Sequence, residues 1–447
     1  RRDSSKRQKR RMASSYPNLS FRYSSVYHGA MNHNEMLSLL YDGQEMTVRD
    51  ALWKDIPMSQ ELFRVLQCRC VQKLSRIQQL GPASLLYPSA VHTRLDHSLG
   101  VYFLALSILR SLARKGCESL FTTQGVKSFL AAALLHDIGH FPYAHSLKEL
   151  PLQSHEALAG ELIMGERELN QAVLQAGAEP AMVASIIDDT LFSDDREVAC
   201  YRKLLSGTLD PDKLDYLNRD AWFCGVPYGS QDAPFITSHM ALSGGLPALE
   251  EKALGNVEHL LFGKYLMYRS VYWHPSTRSA TAMIKKALLS ALADGAIEGK
   301  QLYGLDDSQF FLLAERVGHP AFENIRQVHD GRLFQVAYER DWCETNPFDR
   351  DAASLEGRGK LERRIFERLS ASYPALKPWQ VVVDIPEPIS FEADIPILLA
   401  DGRRVPFLGR DQLFQSDISR VFTRCLRKTR LYLPAPVDSK NVRNLLE

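Results

Sequence analysis

One apolar run that ends in ionisable chemistry constrains this chain more than any other feature. In "AAALLHDIGHFPYAHS", residues 131–146, Ala131 to Leu135 lead directly into His136 and Asp137, and His140 and His145 follow Gly139. The longer stretch "GVKSFLAAALLHDIG" reads as a buried helix closed by Gly139. Burying an unpaired carboxylate costs several kcal/mol, so Asp137 must be neutralised, hydrogen-bonded or metal-bound. Adjacent helical residues point about 100° apart, and at a helix end the two side chains can converge on one ion. A single His-Asp pair has a plainer explanation: an imidazole that favours the helix dipole and a carboxylate that bonds a neighbouring turn.

The pair has company. "HTRLDHSLG" sets His97 at the start of an apolar helix marked by Leu95, Leu99, Phe103, Leu106 and Leu109, with Arg94 three residues before it. "LDPDKLDYLNRD" groups Asp210, Asp212, Asp215 and Asp220 around Lys213 and Arg219. An acidic helix is ordinarily a solvated face, but Leu214, Leu217 and Trp222 argue that part of this one packs inward. Two histidines and two carboxylates make a mixed N/O set suited to Mn²⁺, Fe²⁺ or Zn²⁺ with water positions left open.

The surrounding texture places these motifs. At 447 residues the chain is long enough for about two or three domains, and its 45% hydrophobic content supplies a core. Residues 1–45 read as a basic, flexible, loop-like segment, opening on "RRDSSKRQKRRM". "MTVRDALWKDIP" suggests a short strand and turn before a helix over Ser59–Ile77. Helical periodicity then dominates to Ile297, and Pro275 marks a break in the last long helix. Beyond it, the amphipathic "KLERRIFERLSASYP" and the Val-, Ile- and Pro-rich segment over residues 376–408 read as a smaller α+β domain. The expected divisions are therefore 1–45, 46–297 and 298–447, in a mainly α chain. A formal charge of +1 gives no global attraction to nucleic acid or membrane, and only the basic opening offers a nucleic-acid contact. No apolar run reaches membrane-spanning length and no secretory pattern opens the chain, so the expectation is a soluble protein. Seven scattered cysteines, paired only as Cys68-x-Cys70, point to reduced thiols in the cytoplasm.

The order H…HD…D, carried by His97, His136–Asp137 and Asp212, resembles the signature of HD-domain metal-dependent phosphohydrolases. "IQQLGPASLLYPSAVHTRLDHSLGVY", "LLHDIGHFPYAHS", "HEALAGE", "DPDKLDYLNRD" and "YRSVYWHP" are similar to the deoxynucleoside triphosphate (dNTP) triphosphohydrolase branch, over roughly Val48–Leu289. The resemblance implies an all-α HD core in which His97, His136, Asp137 and Asp212 hold a divalent metal, with Mg²⁺ on the substrate phosphates. It implies His145 as proton donor to the leaving nucleoside oxygen, with His140, His155 and Glu156 positioning water or tuning that imidazole. Arg94 and Lys213 match phosphate- or sugar-contacting positions, and Lys264 stands where a distal-phosphate cation would lie. Tyr216 stacks on the sugar in this scheme, Asp220 and Gln79 take the 3′-hydroxyl, and Tyr272 joins the substrate side. A homo-oligomer and a regulatory nucleotide are further implications.

Three departures qualify the match. Lys148 replaces an aspartate expected near His145, so Glu149 or Glu156 must support that histidine, or its activation is weak. Trp273 and Pro275 replace an amide and a lysine of the "YQHK"-like segment. Gln67 and Ser75 replace the Asp and Arg of a guanine-nucleotide regulatory site. The leading expectation is hydrolysis of dNTPs to deoxynucleoside and triphosphate. The alternatives are another nucleotide or phosphodiester substrate, and a nucleotide sensor whose catalysis has weakened.

Overall fold

In the computed structural model the first element is one that the sequence reading missed. The described residues are 30–389, 395–409, 418–434, 437 and 442, so the basic opening lies outside them. Helix α1 (His33–Tyr41) falls inside the segment expected to be loop-like. Asn32 and Glu35 form a reciprocal capping box at its start, and Met36 and Leu40 are fully buried. The signal was present as N-x-x-E but was masked by polar neighbours. Strands β1 (Met46–Asp50) and β2 (Lys54–Met58) then make an antiparallel hairpin. The helix expected over Ser59–Ile77 is α2 (Gln60–Gln67), after which an extended Cys68 breaks it into shorter turns.

Two long apolar helices form the scaffold. Helix α3 (Arg94–Arg114) starts at Thr93, whose hydroxyl and the Asp96 carboxylate close another capping box. Helix α4 (Thr123–Leu135) buries Ala131 through Leu135 completely. It ends there, with His136 as its C-cap, rather than at Gly139. Helix α5 (His155–Gly165) crosses the turn that follows. Helix α6 (Pro211–Cys224) packs on α3, with Asp210 as N-cap and Gly225 in the left-handed conformation as C-cap. Gly100 makes that approach possible, since a Cβ there would sit 1.8 Å from Asp215 Oδ1. Helix α7 (Leu254–Met267) runs through a π-turn over Tyr268–Tyr272 before α8 (Pro275–Ala293) begins. The expected break at Pro275 is therefore real, and the proline occupies the first turn of α8, where it costs no hydrogen bond.

The remaining strands come late and pair across the chain. They are β3 (Met240–Ser243), β4 (Leu246–Glu250), β5 (Gln335–Asp341), β6 (Val382–Asp384), β7 (Pro396–Leu398), β8 (Arg404–Pro406) and β9 (Lys428–Leu433). One sheet has the order β3-β4-β7-β8, with β4 and β7 parallel; the other is antiparallel in the order β5-β9-β6. Helix α9 (Leu355–Ser370) buries Leu361, Ile365 and Leu369 beside β6. The chain is thus mainly helical, with small sheets toward its C-terminal part. The sheet β3-β4-β7-β8 joins residues on both sides of position 297. All seven cysteines are free thiols. No described helix is long and apolar enough to cross a membrane.

Candidate active site

Three helix ends meet at one point. His97 lies in the first turn of α3, His136 caps α4, and Asp212 lies in the first turn of α6. His97 Nε2 is 3.0 Å from Asp212 Oδ1 and 3.3 Å from His136 Nε2. The other nitrogen of each ring is engaged: His97 Nδ1 lies 2.8 Å from Asp215 Oδ2, and His136 Nδ1 lies 3.0 Å from the Ala133 carbonyl. Those acceptors fix Nδ1 as the protonated nitrogen, leaving both Nε2 lone pairs facing inward. Donor atoms of His97, His136 and Asp212 lie within 4.8 Å of one another, so this N/N/O set fits a transition-metal ion. Burial opposes a charge on His97, yet Asp212 and Asp215 outweigh it and raise the pKa to about 10. Carboxylates that favour a proton at that point favour a metal cation equally.

Asp137, the fourth expected ligand, stands beside this group. Its Oδ1 is 3.4 Å from His136 Nε2 and 3.1 Å from His140 Nδ1, and Arg94 Nη1 donates to Oδ2 at 2.7 Å. Burial pushes its pKa upward, but His140, His136 and Arg94 hold the carboxyl well below the usual carboxylate range.

A row of imidazoles continues from Asp137. His140 Nε2 faces His145 Nε2 at 3.0 Å, and the His140 and His155 rings lie 3.9 Å apart at their centroids. Gly139 brings them together, because any Cβ there would lie 2.0 Å from the His155 carbonyl oxygen. Tyr143, at φ 63°, reverses the chain so that His145 returns toward the cavity, where it is exposed. The protein packed around the cavity wall, then His140 and Arg94, hold the His145 pKa well below its ordinary value; burial takes that of His155 down to about 3. Glu156 Oε1 is 3.2 Å from His155 Nε2. Glu149 is not the missing support for His145, since Lys285 and Arg358 hold it.

These groups open onto a cavity of about 570 Å³. Gln79, Arg94, His97, His136, Asp137, His145, His155, Asp212, Tyr216, Asp220, Lys264 and Tyr272 all line it. Gln79 Oε1 and Arg94 Nε are buried with no hydrogen-bond partner among the described residues, as expected of groups waiting for a ligand. Asp220 is shared by two neighbours: His92 Nε2 lies 2.8 Å from Oδ1, and the Tyr272 hydroxyl donates to Oδ2 at 2.6 Å. His140 and Glu156 stand behind the lining. Lys213 is not in the lining either: its ammonium reaches Asp210 Oδ2 at 2.6 Å and the Gly207 carbonyl at 2.7 Å, bracing the start of α6. Trp273 lines the cavity, whereas Gln67 and Ser75 do not.

Two supporting residues had no role in the sequence reading. Asp215 is fully buried, orients His97, and is held by Arg219 Nε at 2.9 Å. His92 is buried against Asp220. Asp215 had a usable signal: it sits one turn after Asp212 on a helix that also carries inward-facing leucines.

Residues 94–213 match the HD domain model, and residues 232–405 match the HD associated region. The chain carries an HD domain followed by an HD associated region. It is 27% identical over 363 residues to an uncharacterized protein of Methanocaldococcus jannaschii, covering 79% of this chain and 72% of that one. It is 23% identical over 391 residues to the human deoxynucleoside triphosphate triphosphohydrolase SAMHD1, covering 76% of this chain and 60% of the human one. The HD-domain chain also shares its fold with a solved phosphohydrolase of Bacteroides thetaiotaomicron. There the TM-score is 0.67 at 23% identity, over 87% of this chain and 99% of that one.

Proposed function

We propose that this HD-domain protein hydrolyses dNTPs to deoxynucleoside and inorganic triphosphate. The observation that carries the proposal is the sharing of one cavity by three kinds of group. These are an N/O metal-type set, an imidazole row, and buried cations with an unpartnered Arg94 nitrogen. A volume of about 570 Å³ suits a nucleotide. The likeness to SAMHD1 points to the same substrate class.

In this reading His97, His136, Asp137 and Asp212 hold a divalent ion of the Mn²⁺, Fe²⁺ or Zn²⁺ type. Such an ion polarises a phosphoryl oxygen or lowers the pKa of a bound water. Water adds to the α-phosphorus, the bond to the 5′-oxygen breaks, and His145 delivers a proton to that oxygen. Arg94 and Lys264 neutralise the polyphosphate, which also carries Mg²⁺. Asp220, fixed by Tyr272 and His92, accepts the 3′-hydroxyl together with Gln79, while Tyr216 packs against the sugar. The surrounding protein and neighbouring cations favour the neutral His145 imidazole, so it needs help to act as an acid. An arriving triphosphate reverses that bias: its negative charge raises the imidazole pKa where the proton is needed. Lys213 acts indirectly, by holding the first turn of α6 that carries Asp212.

Incubation with Mn²⁺ and each dNTP, followed by chromatography of products, tests the proposal. Deoxynucleoside with inorganic triphosphate is the expected pair, and Asp137→Ala should abolish both. Monophosphate with pyrophosphate would overturn the site of cleavage. A substrate with a single phosphate is the second reading: it leaves Lys264 nothing distal to bind, and Lys264→Ala would then leave turnover unchanged. The exposed Lys148, which opposes a charge on His145, favours a weakened nucleotide sensor as the third. In that case dNTPs would raise the melting temperature without product. Homo-oligomerisation and a regulatory nucleotide belong to the same proposal, and light scattering with and without dNTPs checks both.

A further inference from the structure

We propose that His140, His145 and His155 form a second transition-metal site, and that filling it stops hydrolysis. Their donor nitrogens lie within 4.8 Å of one another, as the donors of the His97, His136 and Asp212 group do. The likeness extends to the facing pairs. His140 Nε2 and His145 Nε2 are 3.0 Å apart, beside 3.3 Å for His97 Nε2 and His136 Nε2. Two nitrogens bound tetrahedrally to one ion at about 2.0–2.1 Å lie about 3.4 Å apart, so both pairs are spaced to share a cation.

Carboxylates prepare the rings. Asp137 Oδ1 at 3.1 Å from His140 Nδ1 directs the other nitrogen of that ring toward His145. Glu156 Oε1, 3.2 Å from His155 Nε2, offers the same service there. Asp137 therefore stands between the two groups, contacting His136 on one side and His140 on the other. His145 is exposed to the cavity, which gives an ion its way in and leaves room for water as a fourth ligand. An all-imidazole set selects Zn²⁺, Co²⁺, Ni²⁺ or Cu²⁺ over the harder Mg²⁺ and Mn²⁺.

The inhibitory half rests on the proposed phosphohydrolase reading. The His145 nitrogen cannot both coordinate an ion and hand a proton to a leaving oxygen. Excess zinc should therefore silence an enzyme whose first site is already loaded.

Two measurements on the full chain separate these claims. In the first, metal-free protein is titrated with Co²⁺ alone, and stoichiometry and visible absorption are recorded. Wild type should take two equivalents, while His155→Ala, His145→Ala and His97→Ala should each take one; the cavity-exposed His145 guards against a variant that fails to fold. One equivalent in wild type, or two in both His145→Ala and His155→Ala, would overturn the site. In the second, Zn²⁺ is added to the Mn²⁺-loaded enzyme, and turnover should fall about a hundredfold, the scale of a lost general acid. Unchanged turnover with two bound ions would overturn the inhibition. Absence of any nucleotide hydrolysis would instead defeat the phosphohydrolase reading, and the Co²⁺ stoichiometry would still judge the site.

Discussion

Asp215 is placed to act on the chemistry through another residue. It accepts from His97, Arg219 and, at 2.5 Å, the Trp53 indole. Asp215→Asn keeps the shape but weakens the hold on His97, and metal affinity should fall about 10–100-fold, read by competition with a chelator. Turnover should recover at saturating metal, whereas a ligand substitution such as His97→Ala should not recover. Gly100→Ala attacks the same contact sterically. Its Cβ would meet Asp215 Oδ1 at 1.8 Å, and the cost of overpacking is about 1–3 kcal/mol in chemical denaturation. The meeting of His97, His136 and Asp212, with Asp137 beside them, was legible in the ordered H…HD…D pattern. Asp215 was not, since its role exists only when α6 lies on α3. Lys213 was placed toward phosphate by analogy, but the nearby Asp210 N-cap carboxylate captures its ammonium.

At the scale of elements, what matters is how α4 ends. Its apolar face was plain in the sequence, as were the coarse helical course of the chain and the break at Pro275. The ending was misjudged, because Gly139 serves close packing rather than termination. Gly139→Ala should push α5 away and part His155 from His140. Activity should then fall by at least about tenfold, a shift of about 1.4 kcal/mol in the barrier. The far-UV circular dichroism spectrum should be retained. Helix α1 and the π-turn before α8 were not legible for different reasons. The first spans only nine residues, too few for a period to stand out, and the second leaves no periodic trace.

Across the whole molecule, charges buried on separate elements hold the C-terminal part against the helical core. Glu149 joins Lys285 of α8 to Arg358 of α9, and Asp384 of β6 pairs with Arg278 of α8. Glu149→Ala strands two buried cations and should cost about 3–5 kcal/mol in chemical denaturation. Burial raises the Glu149 pKa, but Arg358 and Lys285 outweigh it and hold the carboxyl below its ordinary value. A depressed carboxyl stabilises the fold above its unfolded pKa of about 4.3 and loses that contribution as pH falls through the lower, folded value. The melting temperature of wild type should therefore drop more steeply below about pH 4.3 than that of Glu149→Gln. Sequence texture suggested a division near residue 297. It had no means of revealing that β4 pairs with β7, a partner far along the chain.

The order β5-β9-β6 also carries a clock. Strand β9 is the middle of its sheet yet follows both neighbours in the chain. As a ribosome delivers this protein, β5 and then β6 must wait with open edges until Lys428–Leu433 emerges. Only then does the Tyr432 hydroxyl reach the Pro275 carbonyl at the start of α8. A nascent chain that already carries every proposed catalytic group is therefore still missing the strand that closes its last sheet, and those open edges are where a chaperone would be needed most.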